Sequence, residues 1–453
     1  MADFIDAVIQ YLPEVDGPKQ KKLGFGEKLK WTLIILIMYF VLGLIPLFGL
    51  GQNALVQFQF LSTVLGASFG SLISLGIGPI VTASIVLQLL NGAGIVKFDM
   101  TSHDGKRRYQ GVQKMLSVFF VLLEGSIYVL LGGLSPSAGI PSSVLILQLM
   151  MGGILVMFMD ETVSKWGFGS GISLFIAAGV SQQIFIRLFS PFKQAVSGVE
   201  TSQFATGKVF ELVQSLQAGE TTTAAIALFT ILATFFVFFI AVYTQSMKVE
   251  IPLSFGRVRG HGIRWPLSFF YTSNIPVILT AALLANFQLV GRLVKASWSD
   301  SLVQWITAPS SGSNGGVVAV ALSGSLTWLV VLHSLFYMLL FVVFSVVFAV
   351  FWVQTAGLDA RSQAKQIMNS GLQIPGFRKD QRVLERMLDR YIMPLTIMGA
   401  IAVGLIASVA DLTGALGSGT GILLTVMIVY RLYMDIAQQH MVDMNPAMRR
   451  FMG

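Results

Sequence analysis

The chain has no cysteine. That absence removes disulfide frameworks, thiolate metal sites and cysteine nucleophiles at once. Histidine is scarce as well: His103, His261, His333 and His440 are scattered, and none has metal-ligand spacing. Charged residues make up only 11% of the chain, against 54% hydrophobic residues and a mean hydropathy of +0.75. So little charge cannot solvate the surface of a protein of 453 residues, and the composition is that of a polytopic α-helical membrane protein. Phosphate-loop chemistry is missing too. GFGSG at 167–171 and GALGSGTG at 414–421 follow no soluble strand and lack the GK[ST] ending, so both read as tight turns between helices. No residue pattern suggests catalysis, and none calls for a cofactor or a metal.

What is present is apolar length, and one stretch has too much of it. The run 54–90 is 37 residues long, whereas a bilayer needs about 20. Gly66, Gly70, Gly76, Gly78 and Pro79 punctuate it. A proline inside a helix removes a hydrogen bond and clashes with the preceding turn. Interrupted backbone at membrane depth is tolerated only where protein buries it or where it lines a wet cavity. The spacing therefore predicts a re-entrant segment over 55–74, leading into a half-broken span over 77–90.

The other expected spans are 31–50, 115–131, 144–159, 172–189, 224–245, 268–290, 328–353, 392–410 and 420–433, which makes ten crossings. Lysine and arginine test that number. With ten spans, 24 of them fall on the side of the N-terminus and five on the other, with Arg431 inside the last span. An eleventh crossing would worsen the split to 19 against 10. Both termini are therefore expected in the cytosol, and the first span reads as retained rather than as a cleaved leader. Residues 1–30 form a cytosolic N-terminal segment whose first 12 residues have an amphipathic pattern. They suit either a helix lying on the membrane surface or an element docked on the protein's own loops. Five-span halves follow at 31–190 and 224–437, separated by a polar external loop at 191–223, with a cytosolic tail at 438–453. An odd number of spans per half makes the second half run in the opposite sense, the condition for an inverted repeat. Pro79-Ile-Val-Thr-Ala in the second span echoes Pro276-Val-Ile-Leu-Thr-Ala in the seventh.

Ionisable groups inside a membrane usually mark function. Only Glu124 is expected deep in a span; His333, in the eighth, reads as a helix-contact histidine. A coupled ion transporter needs a cluster of such groups. A passage lined by aliphatic side chains remains, which excludes ions by dewetting and suits large, chemically variable cargo. The loops IPLSFGRVRGHGIRW and IPGFRKDQRVLERMLDR carry Arg257, Arg259, Arg264, Arg378, Lys379 and Arg382. They set topology, and their length and Pro/Gly punctuation also suggest structured fingers for an anionic partner. Anionic lipid headgroups are another such target.

Residues 70–90 (GSLISLGIGPIVTASIVLQLL) and 158–175 (FMDETVSKWGFGSGISLF) resemble the two signature regions of the SecY family. FYTSNIPVILTAALLANFQL, PGFR and DLTGALGSGTGILLTVMIVYR resemble its archaeal and eukaryotic branch, and the likeness runs from Glu27 to about Pro446. The resemblance implies an all-α membrane protein of ten transmembrane helices in two inverted-repeat halves, with a re-entrant plug over residues 57–69 and a hinge at the external loop. It implies the central subunit of a protein-conducting channel, with a hydrophobic pore ring of Ile77, Val81, Ile172, Ile176, Ile278 and Leu424. A polar lateral-gate cluster maps to Thr82, Glu124 and Asn286, and ribosome contacts map to Arg257, Arg259 and Arg378. The implied partners are a SecE-type subunit, a small beta-type subunit, the ribosome, signal sequences and nascent polypeptides, and membrane lipids. The implied location is an archaeal plasma membrane rather than the endoplasmic reticulum. The alternative is an inverted-repeat secondary transporter, which the missing midplane charge cluster disfavours.

Overall fold

In the computed structural model, Pro79 begins a helix instead of kinking one. It is the second residue of the helix Gly78–Gly92, where its missing N–H would have had no partner anyway. Pro276 takes the same place in the helix Ile275–Val294. The structure describes residues 13–18, 23–53, 67–92, 95–96, 98, 103–196, 199–255, 262–272, 275–294, 303–309, 316–369, 372–373, 380–416 and 419–444. The re-entrant segment is thus described only from residue 67 onward; the greater part of the expected plug and the first 12 residues lie outside the described residues.

The helices are α1 (Phe25–Leu44), α2 (Gly78–Gly92), α3 (His103–Leu130), α4 (Ser142–Trp166), α5 (Gly171–Phe189), α6 (Lys208–Ala218), α7 (Thr221–Ser246), α8 (Ile275–Val294), α9 (Gly316–Leu322), α10 (Trp328–Thr355), α11 (Ala360–Asn369), α12 (Gln381–Thr413) and α13 (Gly419–Met444). Each expected span overlaps one of them, although the first, 31–50, runs past the end of α1 at Leu44 and the seventh, 268–290, begins ahead of α8 at Ile275. Among the described residues, seven helices are long and apolar enough to cross a membrane. The chain divides into two units, Met1–Ser181 with Ile428–Gly453, and Gln182–Met427. The divisions fall inside α5 and α13.

In the first unit the segment ahead of α2 is wound by successive three-residue turns. The amides of Ser74, Gly76 and Gly78 donate to the carbonyls of Ser71, Ile73 and Leu75. Gly70 at φ +96° and Gly76 at φ +55° supply the left-handed bends, a region that side chains resist. Hydroxyls close the rest: Ser71 Oγ donates to the Ser68 carbonyl at 2.7 Å, and Ser74 Oγ accepts from the Gly70 amide at 2.9 Å. Ile73, Ser74, Leu75 and Ile77 are 2%, 0%, 0% and 1% exposed, so protein buries this non-helical backbone, as its depth requires. Gly152 of α4 makes room for it, because a Cβ there would run into the Leu72 carbonyl. The turn after α1 is laced to the same segment by Leu72 N–H to Ile45 O and Leu47 N–H to Gly70 O, both 2.9 Å. Two short strands, β1 (Leu50–Asn53) and β2 (Leu134–Pro136), pair antiparallel.

In the second unit β3 (Lys193–Val196) and β4 (Val199–Ala205) pair antiparallel between α5 and α6. The basic loops fold into β5 (Lys248–Phe255), β6 (Gly262–Ser268) and β7 (Leu372–Gln373), one sheet in the order β6-β5-β7. Ile251, Leu267, Ala364, Ile367, Leu384 and Leu388 make its core with α11 and α12. The Tyr271 hydroxyl, 2.7 Å from the Leu358 carbonyl it donates to, is pushed up to about 12 by burial and by the nearby charge of Asp359. On α7 and α10 many apolar side chains point outward. Phe236 and Phe239 of α7 are 62% and 66% exposed, and Leu329 and Leu339 of α10 are 67% and 63% exposed. Continuous faces of that kind are covered by lipid.

Candidate functional site

The four expected ring residues of the first unit lie where non-helical backbone meets helix. Ile77 ends the wound segment, and its carbonyl accepts from the Ile80 and Val81 amides at 3.1 and 3.0 Å. Val81 follows on the first turn of α2, while Ile172 and Ile176 occupy the start of α5. In the second unit Ile278 sits on the first turn of α8 and Leu424 on the second turn of α13. Ile77, Ile176 and Leu424 are buried; Val81, Ile172 and Ile278 are half-buried.

Two of the three expected lateral-gate residues meet. Thr82 Oγ1 donates to Glu124 Oε1 at 3.1 Å, and lies 2.9 Å from the Gly78 carbonyl behind it. A second polar contact between α2 and α3 pairs Gln113 Nε2 with Ser84 Oγ at 2.6 Å. The side chain of Asn286 lies outside the described residues. The counterpart of Thr82 in the echoed sequence, Thr280, donates to the Pro276 carbonyl and lies 3.4 Å from Ser345 Oγ. Arg257, Arg259 and Arg378 lie outside the described residues. His333 stacks against Trp305, ring centroids 5.3 Å apart.

One expectation needs correction, since Glu124 is not the only carboxylate within the membrane helices. Asp160 of α4 and Asp411 of α12 also lie there and hold backbone amides. The sequence reading ended those spans at 159 and 410, one residue short of each aspartate. The available signal was an aspartate at the end of an apolar run, followed by a Gly-Ser-Gly turn. A second feature the sequence did not reveal is a strap at the N-terminus. Lys114 pairs with Glu161 and donates to the Pro13 carbonyl. Lys165 Nζ contacts Glu14 at 2.5 Å and the Val15 carbonyl at 2.6 Å, while Trp166 Nε1 donates to the Asp16 carbonyl at 2.8 Å. Lys165 holds the Glu14 carboxyl below its ordinary value.

Among the described residues no group of three or more His, Asp or Glu could hold a metal ion. Long apolar helices, outward-facing phenylalanines and a buried non-helical segment define an integral, multi-pass helical membrane protein. The SecY family model matches residues 71–433. The chain is 44% identical to the protein translocase subunit SecY of Methanothermobacter thermautotrophicus, over 100% of this chain and 99% of that one. It is 42% identical to that of Pyrococcus furiosus, again over 100% and 99%. Among solved structures it resembles a protein-conducting channel with a TM-score of 0.76 and 37% identity, covering 96% of this chain and 97% of the other. Sec61 in the canine ribosome–channel complex from the endoplasmic reticulum gives a TM-score of 0.74 and 36% identity with the same coverage. The chain belongs to the SecY family.

Proposed function

We propose that this chain is the central, pore-forming subunit of a protein translocase. Polypeptides would cross an aliphatic constriction of Ile77, Val81, Ile172, Ile176, Ile278 and Leu424, which seals against ions because it offers them nothing to replace their hydration. Residues 57–69 are the plug that rests against it. Apolar segments leave sideways into lipid at a gate carrying Thr82, Glu124 and Asn286. The ten helices that coincide with the expected spans all cross, with both termini in the cytosol, in an archaeal plasma membrane. Arg257, Arg259 and Arg378 bind the ribosome, and SecE-type and small beta-type subunits complete the assembly. The carrying observation is full-length identity above 40% to translocase subunits named SecY. The Thr82–Glu124 hydrogen bond supports the gate reading by giving a deep carboxylate a partner.

The test is reconstitution of the full-length chain, with the subunits that co-purify, into vesicles supplied with a signal-bearing polypeptide. Protease-protected polypeptide inside the vesicles is expected, and removal of the signal should abolish it. Protection that is independent of the signal, or its absence from vesicles shown to contain folded protein, would overturn the reading.

A further inference from the structure

Each unit has a long helix that starts at the last glycine of a Gly-Ser-Gly, and in each an aspartate holds that helix start while a threonine holds the segment leading to it. In the first unit Asp160 of α4 accepts from the Ile172 amide at 2.9 Å, and the Gly171 amide and Ser170 hydroxyl also bond to that carboxylate. In the second unit Asp411 of α12 accepts from the Gly419 amide at 2.5 Å and from the Tyr337 hydroxyl at 2.9 Å. Each turn has a threonine anchor from the first span of its half. Thr32 Oγ1 of α1 accepts from the Phe168 amide at 3.1 Å and donates to the Lys28 carbonyl four residues behind. Thr234 Oγ1 of α7 accepts from the Leu416 amide at 2.8 Å and donates to the Thr230 carbonyl, again four residues behind. The last glycine of each Gly-Ser-Gly is the first residue of the next helix. A Cβ at Gly171 would stand 2.6 Å from the Asp160 Cα, and one at Gly419 would stand 2.6 Å from the Ala410 Cβ. Both helix starts therefore rest directly on the helix that precedes them.

We infer that Asp160 and Asp411 are positioning residues that set the rotation and depth of the two helices bearing Ile172, Ile176 and Leu424. This rests on the constriction reading above. The first amides of a helix have no partner within it. A carboxylate that takes them makes charge-assisted bonds and matches the positive end of the helix dipole. Ile172 is itself one of the held residues, so its main chain cannot rotate while Asp160 grips it. Leu424 lies five residues beyond Gly419, about 7.5 Å along the axis at 1.5 Å per residue. A small slip at the cap therefore reaches the seal with little loss.

Ion conductance of vesicles carrying the full-length chain and its co-purifying subunits tests this. Asp160→Ala and Asp411→Ala should each raise conductance several-fold at temperatures well below the unfolding midpoint. Asp160→Asn and Asp411→Asn, which keep an acceptor oxygen, should restore most of the seal; a role in folding alone would lower the midpoint without a leak that asparagine reverses. The triple Ile77→Gly, Ile176→Gly, Ile278→Gly variant is the reference leak. If it leaks while both alanine variants stay tight, the positioning role is wrong and the ring stands. If the triple is tight, the constriction lies elsewhere and this inference falls with it. Should the alanine variants fail to fold, Thr32→Val and Thr234→Val remove only the turn anchors and should give a smaller leak in each half; tight seals in both overturn the inference.

Discussion

Helices α2 and α8 start in the same way and differ in what surrounds them. Each has proline as its second residue and a threonine that bonds back to a carbonyl of the first turn. Seven residues ahead of each proline, a backbone carbonyl lies against a glycine of another long helix: Leu72 O against Gly152 of α4, and Phe269 O against Gly399 of α12. The approach to α2, however, is a buried series of tight turns, whereas α8 follows the end of strand β6. Thr82 meets a carboxylate, and Thr280 meets a serine. The two echoed segments thus share backbone geometry and differ in their polar partners. Close backbone contact tolerates no added atom, while a hydroxyl accepts several partners.

The largest effect expected from this comparison is at the glycines. Gly152→Leu and Gly399→Leu should each destabilise the fold by roughly 3 kcal/mol or more, because the obstacle is backbone that cannot rotate away. Thermal midpoints or the yield of folded, monodisperse protein would register it. If one substitution is tolerated and the other is not, the two contacts are not equivalent and the repeat is weaker than it looks. Next in size is the threonine pair. Thr82→Val, which loses a hydrogen bond to a carboxylate, should lower stability by about 1 kcal/mol, and Thr280→Val by less. Equal losses in a thermal melt would show that Glu124 adds nothing beyond the back-bond common to both threonines.

The smallest effect concerns a feature described in the first unit alone, the N-terminal strap. Its Glu14 carboxyl is held below its ordinary value by the Lys165 hydrogen bond and charge. A lowered folded-state value makes the contribution fully present above the unfolded value and lost as pH falls through the folded one. Protease nicking at residues 13–18 should therefore stay low at neutral pH and rise only below about pH 4.5. Lys165→Met should make nicking frequent at neutral pH and remove most of its pH dependence. Glu14 is largely exposed, with 67% of its side chain accessible, so the change should be modest and should fade with salt.

The membrane placement and the all-helical class were legible in the chain itself. Apolar length and the distribution of lysine and arginine are local patterns, and bilayer thickness converts apolar length into expected spans. The buried break before α2 was legible for the same reason: Gly70, Gly76 and Pro79 cannot continue a helix, whatever surrounds them. The sequence could not say what satisfies the broken backbone. Ser71, Ser74, Ile45 and the cleft at Gly152 do so together, and they come from three stretches far apart in the chain. Nor did it reveal Asp160 and Asp411, since hydropathy treats a carboxylate at the end of a span as the place where the span stops. Only the tertiary structure brings a threonine 136 residues from its amide partner in one unit and 182 residues in the other. Apolar burial depends on composition along the chain, whereas a hydrogen bond depends on where two particular atoms end up, and folding alone decides that.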